Sequence, residues 1–268
     1  AGFGAEILAQ GLRDLASTAA AMDPDLRISA LSLPALPALI ACLPQSAGRR
    51  RILLAASFIS WLSESPASGD GRLHAWFLDV GQGDALVLQL PDGDAAVVDA
   101  GPAFEDYDAG ERVVAPALWA LGHSRIAFLA ITHRHADHAG GAPFLRRHFR
   151  PARVFVNGPG GGEDATSRVL SRGDEWMSGG VRFRVLAPSP AWVLESRDEN
   201  ARSLVIEVTF CEQRLLLMGD AGRRVEALLD PSPHDFAAVK VGHHGAVDAS
   251  SEEFIRRTGA RLAVISVG

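Results

Sequence analysis

The chain has 268 residues, 47% of them hydrophobic, enough for one large domain or for a domain with an appendage. A formal net charge of -6 excludes a globally basic nucleic-acid binder, so any contact with a polyanion has to be local or carried by metal. The two cysteines, Cys42 and Cys211, sit in apolar contexts with no CxxC, which predicts buried free thiols and leaves nitrogen and oxygen as the metal ligands.

The first 70 residues differ from the rest. Ile7, Leu8, Leu12 and Leu15 fall on one helical stripe. From Ile28 to Gly48 there is no charge, a length close to the roughly 20 residues that span a bilayer. The cluster Arg49–Arg51 and the apolar ILLAASFISWLS follow. A membrane hairpin and a buried soluble hairpin both fit this pattern. If it spans, the arginines belong on the cytoplasmic side and the chain after Ser63 emerges opposite. SESPASGDG (63–71) is a linker by composition. With no basic leader, and a last strand that stops where the sequence stops, the chain is expected to be a fragment of something longer.

After the linker, strands are predicted over 74–80, 84–90 and 95–101, joined by tight Gly and Asp turns. A helix is predicted over 111–122 despite Pro116, a strand over 126–132, a helix over 142–149 and a strand over 152–157. Residues 158–180, glycine-rich and polar, are expected to form a surface loop. Strands at 181–188, 202–210 and 214–220 come next, then alternating helices and strands to the end. The fold class is α/β (α+β), with two facing sheets and helices outside to bury both outer faces.

THRHADHAGG (132–141) follows a strand and precedes a helix. On an extended segment side chains repeat every two residues, so His133 and His135 can chelate one ion. Asp137 and His138 lie past the strand end, aimed at a second point. Imidazole with carboxylate suits zinc, manganese or iron. Asp79 and Asp84 flank a Gly-Gln-Gly turn; Asp84 either serves that turn or faces the site as an outer acceptor. Of the adjacent His243 and His244, at most one should point inward. Lys240, on the same strand, offers charge to a phosphate or is a solvated lysine. Asn200 and Ser203 either line the site or mark a hairpin entry.

THRHADHAGG resembles the metal-binding motif of the metallo-β-lactamase superfamily, an αββα sandwich with two ions between the sheets. VVDAG resembles that family's first motif, making Asp99 a support for the metal loop, and LLLMGD resembles the motif of the bridging aspartate, making Asp220 the bridge. FLDVGQGDALVL, ENARSLVIEV, VKVGHHGAVDASSEEF and RLAVISVG extend the resemblance, over about residues 74 to 268, to the C-terminal domain of ComEC-type competence proteins. The preceding hairpin then resembles the last membrane segments of such proteins. The division implied is 1–70, a helical transmembrane hairpin and linker, and 71–268, a metallo-β-lactamase-like domain truncated at its C-terminus.

The resemblance implies two divalent ions, zinc or manganese, held by His133, His135, Asp137, His138 and Asp220, with His243 or His244 on the substrate side. It implies a nuclease that degrades the non-transported DNA strand, outside the bacterial inner membrane and beside other DNA-uptake proteins. Arg134, Arg146 and Arg147 are candidates for touching single-stranded DNA. Two departures stand out. The further histidine many members place before the bridging aspartate is missing, since His148 alone occupies that interval, within a helix, and the late histidine would follow Gly268. A hydrolase of another ester, thioester or lactam, and a degenerate domain that guides DNA, are the alternatives.

Overall fold

The computed structural model describes residues 69–158, 167–230 and 235–268. The expected membrane hairpin lies outside the described residues apart from its last two positions, and so does Cys42. Among the described residues no helix is long and apolar enough to cross a membrane.

The strands β1 (His74–Phe77), β2 (Ala85–Gln89) and β3 (Ala95–Ala100) form an antiparallel meander. A small hairpin, β4 (Ala103–Phe104) with β5 (Tyr107–Asp108), precedes a wide helical turn at Gly110–Val114 and the helix α1 (Ala115–Ala120). Pro116 sits in the first turn of α1, where its missing N–H leaves no hydrogen bond unmade. Next come β6 (Phe128–Ala130), α2 (Ala136–Ala139), α3 (Ala142–Phe149), β7 (Arg153–Val156) and β8 (Ser167–Val169). The first sheet runs β1-β2-β3-β6-β7-β8, with β3, β6, β7 and β8 mutually parallel.

The second sheet is built in the same way. It comprises β9 (Glu175–Ser178), β10 (Val181–Ala187), β11 (Val205–Phe210), β12 (Gln213–Leu217), β13 (Ala238–Lys240) and β14 (Leu262–Val264), neighbours in that order. Strands β9 to β12 are antiparallel, and β12, β13 and β14 are parallel. Its helices are α4 (Pro190–Glu195), α5 (Arg223–Glu226) and α6 (Glu252–Thr258).

Alternation along the strands separates three apolar layers. Leu86 and Leu88 of β2, Val98 of β3 and Phe128 of β6 meet Phe183, Val185, Ile206 and Val208 of the second sheet. Val87, Val97 and Leu129 face the other way, onto Leu118 of α1 and Leu145 and Phe149 of α3. Val205, Leu216 and Val239 pack on Val225 of α5 and Phe254 of α6. The result is the αββα sandwich. Phe128 lies at the centre of the inner layer, with ring centroids 5.6, 5.5 and 5.0 Å from Phe155, Trp176 and Phe183.

Two local expectations are corrected, and one helix was not foreseen. The segment 158–180 is not all loop, since β8 and β9 lie within it. Both are short strands at sheet edges, β9 burying only Trp176, so neither carries a two-residue hydrophobic alternation to detect. Helix α4 was hidden by its length; Ser189 caps it by accepting from the Trp192 amide at 3.2 Å, with Pro190 in the first turn. Cys211 is exposed, because it occupies the tip of the β11–β12 hairpin, where it and Glu212 have φ of 45° and 65°. Replacing Phe128 by Ala should cost about 3–5 kcal/mol, read as a lower urea midpoint with an unchanged slope; a loss under about 1 kcal/mol would show that the two sheets do not depend on this ring.

Candidate metal centre

In parallel sheets the carboxyl ends of the strands gather at one edge. Asp99 ends β3, His133 to His138 follow β6, Asp220 follows β12, and His243 and His244 follow β13.

Asp99 organises the first half of the site. The register between β2 and β3 slips there: Ala85 faces Ala100 and Leu86 faces Val98, so Asp99 is the bulged residue, with φ of 57°. Its Oδ1 accepts from the Thr132 amide at 2.7 Å, and its Oδ2 from the Thr132 hydroxyl at 2.7 Å and from His138 Nδ1 at 2.8 Å. His138 therefore carries its proton on Nδ1 and turns Nε2 into the cleft. Burial pushes the Asp99 carboxyl upward against the pull of His138.

Asp220 sits where the two halves meet. Gly219 before it has φ of 52°, and a Cβ there would lie 3.0 Å from that of Thr132 and 3.1 Å from that of Ser203, so only glycine lets the second sheet approach so closely. The Ser203 hydroxyl accepts from the Asp220 amide at 3.1 Å. One carboxylate oxygen of Asp220 is 3.6 Å from His133 Nε2; the other is 3.1 Å from His138 Nε2 and 3.5 Å from His244 Nε2.

The ring nitrogens converge on one another. His133 Nε2 is 3.1 Å from His135 Nδ1, and His138 Nε2 is 3.2 Å from His244 Nε2. Neutral imidazoles face such nitrogens at each other only if one donates. A shared cation satisfies both lone pairs at once, which is the physical reason this donor set fits metal. Three groupings have ligand atoms all within 4.8 Å of one another: His133, His135 and Asp220; His133, Asp137 and His138; and Asp84, His138, Asp220 and His244.

Electrostatics fit the same picture. Burial, followed by neighbouring His138, lowers the His133 pKa to about 3, so it is neutral and ready to ligate. Burial also opposes charge on His138, but Asp99 and Asp220 outweigh it and hold its pKa well above the usual value. His244 is raised as well: its burial is outweighed by Asp137 and Asp220. The hydrogen bond with His244 lowers Asp137, while the surrounding imidazoles overcome burial and lower Asp220.

The adjacent histidines diverge, with φ of 47° and 52°. His244 enters the cluster, its Nδ1 3.2 Å from the Ser266 carbonyl. His243 is set aside: its Nδ1 is 3.0 Å from Asp248 Oδ1 and its Nε2 3.2 Å from Asn200 Nδ2. Lys240 is not a solvated lysine. It is buried, with Nζ 2.7 Å from Asp84 Oδ2 and donating to the Val241 carbonyl at 3.0 Å. Asp79 stays in its turn, accepting from the Gly81 amide at 3.1 Å.

Arg134 runs to Glu199, which also accepts from Asn157 at 3.2 Å and Arg202 at 3.3 Å. Arg146 and Arg147 ride on α3, outside the first sheet, and His148 bonds back to the Phe144 carbonyl of the same helix. Thr132, Asp248 and Glu199 went unrecognised in the sequence. Thr132 opens the histidine motif and was the one of the three with a readable signal.

Residues 78–158 match the Metallo-beta-lactamase superfamily. The metallo-beta-lactamase SMB-1 bound to 2-mercaptoethanesulfonate superposes with a TM-score of 0.50 and 13% identity, over 73% of this chain and 94% of that one, which supports the fold. The chain carries a metallo-beta-lactamase domain. Over most of its length it is homologous to competence proteins of the ComEC family. ComE operon protein 3 of Bacillus subtilis (strain 168) is 28% identical over 75% of this chain, and Competence protein ComA of Neisseria gonorrhoeae 28% identical over 92%. The alignments take in 29% and 35% of those relatives, so the chain spans about a third of their length.

His138 must surrender its Nε2 proton to ligate, so ion uptake should release protons and apparent affinity should rise with pH through its raised pKa. In the ion-free protein the sign is opposite: the stability His138 contributes is complete below about pH 6.5 and is lost as pH rises through the raised value. Calorimetric titration with Mn2+ in buffers of different ionisation enthalpy should give different heats, and equal heats would contradict the assignment. Asp99→Ala, which frees the His138 ring, should weaken ion binding by roughly 10–100-fold in the same titration.

Proposed function

We propose that this domain is a metal-dependent phosphodiesterase that hydrolyses DNA, within a membrane protein of DNA uptake. The observation that carries the reading is Asp220, whose two carboxylate oxygens face different imidazole groups, as a residue bridging two divalent ions would. Homology to the competence proteins supports DNA as the substrate class.

In this reading His133 and His135 would hold one ion and Asp137 and His138 the other, with Asp220 shared between them. Zinc or manganese is the expected identity. When bound, such ions supply Lewis acidity towards phosphate oxygens and an activated nucleophile near neutral pH. The chain's own residues supply position. Asp99 and Thr132 fix the metal loop, and Ser203 fixes the Asp220 backbone. His244, the histidine of the pair that faces the cluster, would bind the scissile phosphate or protonate it, while His243, held by Asp248 and Asn200, would support its loop. The net charge of -6 is compatible with DNA because the ions neutralise phosphate locally. The substrate strand is the non-transported one, and the domain sits outside the inner membrane, anchored through the apolar stretch before residue 70.

Cleavage of end-labelled single-stranded DNA with Mn2+ or Zn2+ tests this. Asp220→Ala should lower the rate by at least about 1,000-fold, in line with several kcal/mol of lost charge stabilisation. A protein that binds ions but cleaves a thioester or lactam and not DNA would place the domain with the other hydrolases of its fold; one that binds DNA without cleaving it would make it a guiding domain.

A further inference from the structure

Asp84 belongs to the turn between β1 and β2, outside the histidine motif, yet its backbone is clamped onto it. Its amide donates to the Asp137 carbonyl at 3.1 Å, and its carbonyl accepts from the Gly101 amide at 2.8 Å. Gly83, with φ of 140°, packs so closely on the Asp137 carbonyl that a Cβ there would collide with it. The Asp84 backbone is thus fixed against the histidine motif.

The side chain is 8% exposed. One oxygen takes the Lys240 ammonium at 2.7 Å. The other, Oδ1, is buried with no hydrogen-bond partner, and lies 3.6 Å from His244 Nδ1, whose proton is directed to Ser266. A buried carboxylate oxygen left bare is costly unless something else satisfies it. Asp84 also falls in the four-member grouping with His138, Asp220 and His244. Between His138 and Asp220 the sequence has a single histidine, His148, which is exposed on α3, so no imidazole from that interval reaches the cluster.

We propose that Asp84 is an additional carboxylate ligand for the divalent ion held by His138 and Asp220, and that Lys240 is the positioning residue that fixes it there. This rests on the metal-site reading above but not on DNA as substrate. Lys240 holds Oδ2, which leaves Oδ1 as the oxygen without a partner and so the one available to an ion. It also cancels part of the charge that Asp84, Asp137 and Asp220 accumulate in a small volume. A carboxylate-rich set favours manganese over purely nitrogen sites.

Manganese stoichiometry and affinity, measured by calorimetry and by metal analysis after dialysis, decide this without any activity assay. Wild type should be compared with D84N, K240M, the double variant D84N/K240M and, as a control in the same turn, D79N. The double variant removes both members of the buried pair, so it leaves no unpaired charge to unfold the protein. The proposal expects D84N and the double variant to lose one equivalent, or to bind the second ion at least about tenfold more weakly, with D79N unchanged. A double variant that binds manganese like wild type would show a merely structural ion pair and overturn this inference alone. Wild type that binds no manganese or zinc would overturn the metal site itself.

Discussion

The site depends on one carboxylate accepting three hydrogen bonds. Asp99 reaches out of its sheet through a bulge and fastens Thr132 by both amide and hydroxyl and His138 by its ring. That fastening sets the path of the whole segment from 132 to 138, so the orientation of one imidazole and the positions of its neighbours have a common origin. The backbone at Asp99 is in the left-handed region, which costs a non-glycine residue on the order of 1–3 kcal/mol unless its surroundings offset it. Here the three acceptor contacts are the offset.

The same economy recurs on the other sheet. His243 and His244 both take positive φ after β13, and the strain separates their side chains: one goes into the cluster, the other to Asp248 and Asn200. Glu226 stabilises the segment behind them, accepting from the Ser250 and Ser251 amides and the Ser251 hydroxyl. The left-handed Ser250, six residues after His244, is thus held by a buried carboxylate. Burial keeps His133 neutral while carboxylates keep its neighbour His138 charged, so two adjacent imidazoles enter ion binding from different protonation states.

Much of the fold was legible because its central strands are short unbroken apolar runs: Leu86 and Leu88 face one way and Val87 the other, as Ile206 and Val208 oppose Val205, so both faces of each sheet are covered. What was not legible lay where burial is one-sided or elements are short, as in β8, β9 and α4. The histidine motif and Asp220 could be located from local sequence because strand ends deliver them. The pairing of Asp84 with Lys240 could not. Those residues are distant in sequence, and each alone has a commoner explanation, a turn aspartate and a surface lysine. Their meeting is a property of two sheets packed together, and so is the choice between His243 and His244.

Gly219 marks the contact through which the two sheets close, and closure has an order built into it. The segment that carries four of the ligand-type residues, His133 to His138, belongs wholly to the first half of the domain, and Asp220 and His244 belong wholly to the second. The earlier half alone lacks Asp220, the carboxylate whose two oxygens face different imidazoles. The grouping of His133, Asp137 and His138 lies within the earlier half, whereas the two groupings that include Asp220 need both halves. Completing the donor set is therefore the same event as closing the sandwich, because two of its three groupings exist only where the sheets meet.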